Sequence, residues 1–149
     1  MATAAETDNS REFRTSLRVR YPETDRMGVV YHAHYFVWFE LGRTELMRSL
    51  GATYGKLEEE EGISFPVIEA GARYRAPARY DDRLTVQTTL IEVSRARVRF
   101  EYQILRDEDG KLLVEGSTEH ATVGPNGRPR RMPEELRRRL QAGDRKRVV

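Results

Sequence analysis

Hydrophobic residues follow two different periods along this 149-residue chain, and the changes of period divide it into elements. Leu17, Val19 and Tyr21 alternate with Ser16, Arg18 and Arg20, as in a half-buried strand. Pro22 ends that run, and Glu23 to Gly28 make a turn or short loop. From about residue 34 to residue 50 the period becomes helical. Tyr35, Trp38, Phe39, Gly42, Leu46 and Leu50 fall on one stripe, widened by Phe36, Val37, Leu41 and Met47. Gly51 is a natural C-terminal stop. A shorter helix, acidic on its outside, is expected over residues 54–61, closed by Gly62. Strand-like segments then cover residues 65–76, 83–93, 96–105 and 111–123. The clearest sets Ala96, Val98, Phe100, Tyr102 and Ile104 against Arg97, Arg99, Glu101 and Gln103. Asp107-Glu108-Asp109-Gly110 is a hairpin turn, and Gly124-Pro125-Asn126-Gly127 ends the last strand. Pro133, with Glu134 and Glu135, opens a terminal helix to about Leu140.

Strand, long apolar helix, short helix, then four strands joined by tight turns is an α+β order. The long helix is too apolar for a wet surface, so the natural solution is an antiparallel sheet of about five strands curled around it. The other sheet face and the edge strands still need cover, which predicts self-association. The expected organisation is a flexible N-terminal arm (1–12), one domain (13–141) and a basic C-terminal tail (142–149).

Composition narrows the function. The chain has no cysteine, which removes disulfides, thiolate nucleophiles and cysteine metal sites. The N-terminus lacks the basic and apolar regions of a signal peptide, and no apolar run approaches the ~20 residues of a membrane helix. A cytoplasmic location without membrane insertion is therefore expected. The net charge of +2 conceals an asymmetry: residues 126–149 carry nine basic and three acidic side chains, hence +6, against −4 elsewhere. That basic end has no interleaved aromatics, so a solvated helix is expected there and not a nucleic-acid site.

The candidate chemistry lies where the first strand meets the long helix. Asp25 is either a loop or cap aspartate or a carboxylate acting on an acyl group as nucleophile or general base. The second role needs an electrophile stabiliser nearby. The unpaired N–H groups of the helix start, around Tyr31 to Ala33, can hold a carbonyl oxygen as it gains charge. His32 and His34 form an H-x-H pair that orients a carbonyl, binds substrate or caps the helix; metal ligation is not expected. His120 reads as a satisfied core or interface histidine, and Glu40, if buried, needs Arg43 or Thr44. Arg95 and Arg97, beside Ser94, put basic groups at a strand end; they are either plain surface charges or groups that receive phosphates.

Asp25-Arg26-Met27-Gly28-Val29-Val30-Tyr31-His32-Ala33-His34-Tyr35, followed by Phe39-Glu40-Leu41-Gly42-Arg43-Thr44-Glu45, resembles the signature of hotdog-fold acyl-CoA thioesterases. The similarity is to the 4-hydroxybenzoyl-CoA thioesterase type, including the Tol–Pal-associated branch. Tyr74-Arg75-Ala76-Pro77-Ala78-Arg79-Tyr80-Asp81-Asp82 matches a second family stretch, and the likeness spans roughly residues 17–123. Met27 departs from it, standing where a small residue is common.

The resemblance implies a central helix wrapped by the sheet, in homodimers or homotetramers without a metal or cofactor. It also implies hydrolysis of a short-chain or aromatic acyl-CoA to free acid and CoA. Asp25 would be the catalytic carboxylate, and the His32 backbone amide the group that polarises the thioester carbonyl. Tyr31, His34 and Tyr35 would shape the acyl pocket, and Ser94, Arg95 and Arg97 would meet the CoA phosphates. Two other readings exist. A hotdog hydratase or dehydratase would want a His-Phe-Pro-type stretch, which is missing. A non-catalytic acyl-CoA-binding module would be favoured by loss of the acid at position 25, which is present.

Overall fold

The computed structural model describes the backbone of residues 12–148 and the side chains of residues 12–141. Five strands, β1 (Glu12–Arg18), β2 (Val67–Tyr74), β3 (Arg83–Val93), β4 (Arg97–Arg106) and β5 (Leu112–Ala121), form one sheet. Their spatial order is β1-β3-β4-β5-β2, with every neighbouring pair antiparallel. Helix α1 (His34–Ser49) packs against β1, β3 and β4. The short α2 (Tyr54–Lys56) widens into a π-turn over Leu57–Glu61 and stops at Gly62, whose φ of 66° favours glycine. Helix α3 (Glu134–Val148) closes the chain against β3.

The expected α+β architecture is present, and most differences lie at element ends. β1 starts at Glu12, so that residue belongs to the sheet; the rest of the expected arm lies outside the described residues. α3 runs to Val148 instead of stopping near Leu140, so the expected tail continues the helix. Leu136 and Leu140 anchor it in the core, Arg137 pairs with Glu134, Arg139 pairs with Glu135, and no proline follows Pro133. Val37 and Leu41 do not widen the buried stripe of α1. They are exposed, because the sheet covers only the side bearing Tyr35, Trp38, Phe39, Gly42 and Leu46. Glu40 also faces out and needs no buried partner.

Register explains the core. Leu84, Val86, Thr88 and Leu90 of β3 lie beside Ile104, Tyr102 and Phe100 of β4, and these beside Val114, Gly116 and Thr118 of β5, all on the helix side. Burying each large apolar side chain is worth roughly 1.5–3 kcal/mol. The helix sits unusually close to this floor. Phe39 stacks on Tyr102 with ring centroids 4.3 Å apart and planes 8° from parallel. A Cβ on Gly116 would lie 2.5 Å from the Phe39 ring, and one on Gly42 would strike the Thr88 hydroxyl. Both positions are therefore held to glycine by space.

A polar row crosses the apolar core. Arg43 Nη1 donates to the Tyr102 hydroxyl at 3.4 Å, and Tyr102 lies 2.6 Å from Thr118 Oγ1. Thr118 Oγ1 lies 2.9 Å from His120 Nε2, and His120 Nδ1 lies 3.0 Å from the Phe65 carbonyl. A carbonyl only accepts, so Nδ1 carries the proton and Nε2 accepts from Thr118; Tyr102 in turn donates to Thr118. The direction of every bond is thus fixed from Arg43 to Phe65.

His120 is 1% exposed, and burial lowers its pKa from 6.5 to about 4; the Phe65 carbonyl opposes this and the Arg43 charge adds to it. The folded state therefore binds fewer protons than the unfolded one between those values. Stability is fully present above pH 6.5 and falls as pH drops toward 4, by at most roughly 3 kcal/mol. Urea midpoints measured through this window should fall steeply for the native protein and more shallowly for His120→Gln. Equal slopes would place the acid sensitivity elsewhere.

Candidate active site

After β1 a single 3-10 turn, Tyr21–Glu23, points the chain back toward the sheet. Glu23 is buried, and its carboxylate accepts the Arg20 backbone N–H at 2.7 Å and the Arg20 guanidinium at 3.1 Å. The Glu23 carbonyl accepts the Tyr31 N–H at 2.9 Å, tying this turn to the helix entry.

Between them residues 24–30 form a miniature hairpin. Thr24 bridges to Val30, Asp25 N–H donates to the Val29 carbonyl at 2.8 Å, and Gly28 N–H donates to the Asp25 carbonyl at 2.9 Å. Gly28 takes the left-handed conformation that such a loop needs, at φ 81°. The side chain of Asp25 is half-buried and held from within this loop. Its Oδ1 accepts the N–H of Met27 at 2.8 Å and of Val29 at 3.4 Å. Oδ2 has no partner among the described residues. Asp25 is thus a loop-stabilising residue and a carboxylate with one oxygen free, so the two sequence readings are compatible.

The helix entry is pinned on the other side. Val30 N–H donates to the Ala78 carbonyl, and His34 N–H donates to the Tyr31 carbonyl, both at 2.9 Å. The N–H groups of His32 and Ala33 have no acceptor among the described residues. Ala33, at φ −73° and ψ −20°, cannot cap with its side chain, and the first turn of α1 holds no acid. The partial positive charge of this terminus is left for something else to neutralise.

A cleft of about 330 Å³ opens here, lined by Asp25, His32, Tyr35, Tyr74, Ala76 and Pro77 among others. Tyr35 is buried beneath it, its hydroxyl accepting the Ala78 N–H at 3.2 Å. Burial raises the pKa of Tyr35 and of Tyr74, so both phenols stay protonated near neutral pH. A larger depression of about 770 Å³ lies across the sheet around Arg73, Arg99, Glu101 and Glu115. It lines up no free helix-terminal amides with a carboxylate, so the smaller cleft is the chemical candidate.

Of the sequence-picked residues, Asp25, His32 and Tyr35 meet at the cleft. Tyr31 and His34 flank it, the Tyr31 ring 4.6 Å from the His32 ring and 6.2 Å from that of His34. Ser94, Arg95 and Arg97 lie elsewhere, in and beside the β3–β4 turn. Ser94 Oγ accepts the Arg97 N–H there, and Arg97 pairs with Glu119 at 2.9 Å. Register puts that turn beside the Val98–His120–Val67 row, while Tyr74 shares a row with Val114 and Ile104. The rows stand six residues apart on β4, roughly 20 Å, so one chain does not unite the two groups. Met27, the departure from the family pattern, is 80% exposed at the loop tip. Nothing local in the sequence marks Glu23 as a site residue, and for Tyr74 the one local signal is a Tyr-x-x-Pro pattern where a strand ends.

Residues 19–140 match the model of the thioesterase-like superfamily. The chain belongs to that superfamily. The acyl-CoA thioesterase YbgC of Haemophilus influenzae is 41% identical over 95 residues, covering 64% of this chain and 70% of that protein. The acyl-CoA thioester hydrolase YbgC of Escherichia coli O6:H1 is 35% identical, covering 86% and 95%. The crystal structure of DHNA-CoA thioesterase from Staphylococcus aureus superposes with a TM-score of 0.83 at 31% identity, over 93% of this chain and 96% of that one. The expected family and the expected hotdog fold are both borne out in this thioesterase-like chain.

The loop that holds Asp25 tests the geometry. No atom lies within 4 Å of a Cβ at Gly28, so Gly28→Ala strains the backbone alone, costing about 1–2 kcal/mol. Gly55, equally open but without a positive φ, should tolerate alanine. Urea unfolding of the two variants should separate them, and equal stability would contradict the assigned loop conformation.

Proposed function

We propose that the protein is an acyl-CoA thioesterase that hydrolyses a short-chain or aromatic acyl-CoA to free acid and CoA, working as a homo-oligomer. One observation carries the reading: a carboxylate with a free oxygen and the uncapped start of a buried helix share one cleft. Similarity to proteins named as acyl-CoA thioesterases supports the substrate class.

The His32 amide receives the thioester oxygen, and Asp25 acts on the carbonyl carbon. As nucleophile, Asp25 adds through one carboxylate oxygen; the tetrahedral oxyanion collapses, CoA leaves as thiolate, and water hydrolyses the acyl–aspartyl anhydride. As general base, Asp25 takes a proton from the water that attacks instead. In both, charge gathers on the same oxygen, and one such amide donor is worth about 3–4 kcal/mol in comparable enzymes. Tyr35 forms the floor of the acyl pocket, with Tyr31 and His34 at its rim.

The edge strand β2 supports the oligomer. It leaves one side of its backbone without a strand partner among the described residues and exposes Val67, Ile68 and Tyr74, an edge that invites pairing with a second copy. An antiparallel pairing of two β2 strands reverses the ends of the partner sheet. The partner subunit's Ser94, Arg95 and Arg97 then approach the cleft end, where they can meet the phosphates of CoA.

Free-thiol release from a panel of acyl- and aroyl-CoA thioesters tests the proposal. Turnover is expected for the native protein, with kcat lowered at least ~100-fold in Asp25→Asn while binding persists. Equal rates would remove Asp25 from the mechanism. Binding without any turnover would favour a non-catalytic module.

A further inference from the structure

We infer that Tyr74 is a positioning residue for the oxyanion-binding turn, its hydroxyl fixing the peptide group between His32 and Ala33 from the end of the sheet. The inference rests on the thioesterase reading of the cleft and adds to it a residue that the reading does not use.

Two peptide groups carry the free amides. The first joins Tyr31 to His32, and its carbonyl is held by the His34 N–H at 2.9 Å. The second joins His32 to Ala33, and its carbonyl accepts the Tyr74 hydroxyl at 3.1 Å. In a planar trans peptide the C=O and N–H point in opposite directions. Fixing each carbonyl therefore aims the N–H of the same group away from that bond. The first group is held from within the turn. The second, among the described residues, is held only by Tyr74, which thereby aims the Ala33 N–H, the neighbour of the His32 amide that receives the oxygen.

The sheet is built to deliver that hydroxyl. Tyr74 is the last residue of β2 and pairs with Val114, which puts its side chain on the face that carries α1. Directly after it, the N–H groups of Arg75 and Ala76 both bond to the Leu113 carbonyl, a local irregularity that stops the strand at this point. The Tyr74 ring packs between Tyr35, 5.5 Å away and tilted 60°, and His32, 6.3 Å away and edge-on. The inner positions before it, Ala70 and Ala72, are small and reach nothing comparable. A protonated phenol is the group the His32 carbonyl needs, which an ordinary tyrosine already is at neutral pH; desolvation raises the pKa of Tyr74 further.

Tyr74→Phe removes the hydroxyl and keeps the ring and its packing. With benzoyl-CoA as probe, kcat should fall about tenfold with KM within about twofold, less than the ~100–1,000-fold cost of deleting an oxyanion donor outright. Tyr80→Phe, an exposed tyrosine beyond the cleft, should match the native rate. A second readout isolates positioning from general damage. In the slow Asp25→Asn protein, the carbonyl stretch of bound benzoyl-CoA should be lowered relative to the free thioester, and adding Tyr74→Phe should return part of that shift. Unchanged kcat and an unchanged stretch would overturn the inference while leaving the thioesterase reading intact. A raised KM at constant kcat would also overturn it, assigning the hydroxyl to substrate binding. No turnover by the native protein of any thioester in the acyl- and aroyl-CoA panel would overturn the thioesterase reading, and this inference with it.

Discussion

The turn that leads into α1 carries two backbone N–H groups, those of His32 and Ala33, that nothing among the described residues accepts. An ordinary helix also satisfies amides inside its own first turn with a serine or aspartate cap, commonly worth ~1 kcal/mol. Here alanine stands at the cap and no acid follows, so the terminus gives up that stabilisation. Its neighbours hold it in place instead: the Glu23 carbonyl on Tyr31, the Ala78 carbonyl on Val30 and the Tyr74 hydroxyl on His32. What remains open is a pair of amide donors beside a carboxylate. That combination suits an oxygen that is neutral when bound and negative when it reacts.

Holding a helix end steady requires holding the helix, and α1 is held by its closeness to the sheet. Gly42 and Gly116 remove the side chains that would keep the layers apart, and Phe39 lies flat on Tyr102 in the space this creates. The polar row from Arg43 through Tyr102, Thr118 and His120 to the Phe65 carbonyl ties the helix to β4, β5 and the entry of β2. The strand whose end carries Tyr74 is therefore linked to the same helix at both ends. A shift of α1 along the sheet would strain both links together.

Much of this was legible in the sequence, and the gaps have physical causes. The change from period two to period 3.6 marked α1, and alternation marked β3 and β4 almost to the residue, because those elements bury one full face. Asp25 and the helix start were legible because a lone acid and a glycine turn before an apolar helix form a local pattern. The contact of Tyr74 with the helix entry was not, since it is a bond across 42 positions of chain. Glu23 looked like one more loop acid, and only the fold reveals that it is buried. Val37 and Leu41 misled because helical periodicity does not say how far a sheet will curl. Ser94, Arg95 and Arg97 lie at the wrong end of their own sheet for the cleft, a relation set by strand register.

On the proposed reading, the free amides of the α1 entry, with Asp25 in the same cleft, receive a thioester carbonyl. A crystal structure of the Asp25→Asn protein with benzoyl-CoA tests this most directly. The account predicts the thioester oxygen about 2.7–3.1 Å from the His32 or Ala33 nitrogen, with the carbonyl carbon facing the side chain at position 25. A thioester bound with its carbonyl away from both amides, or seated outside this cleft, would contradict it.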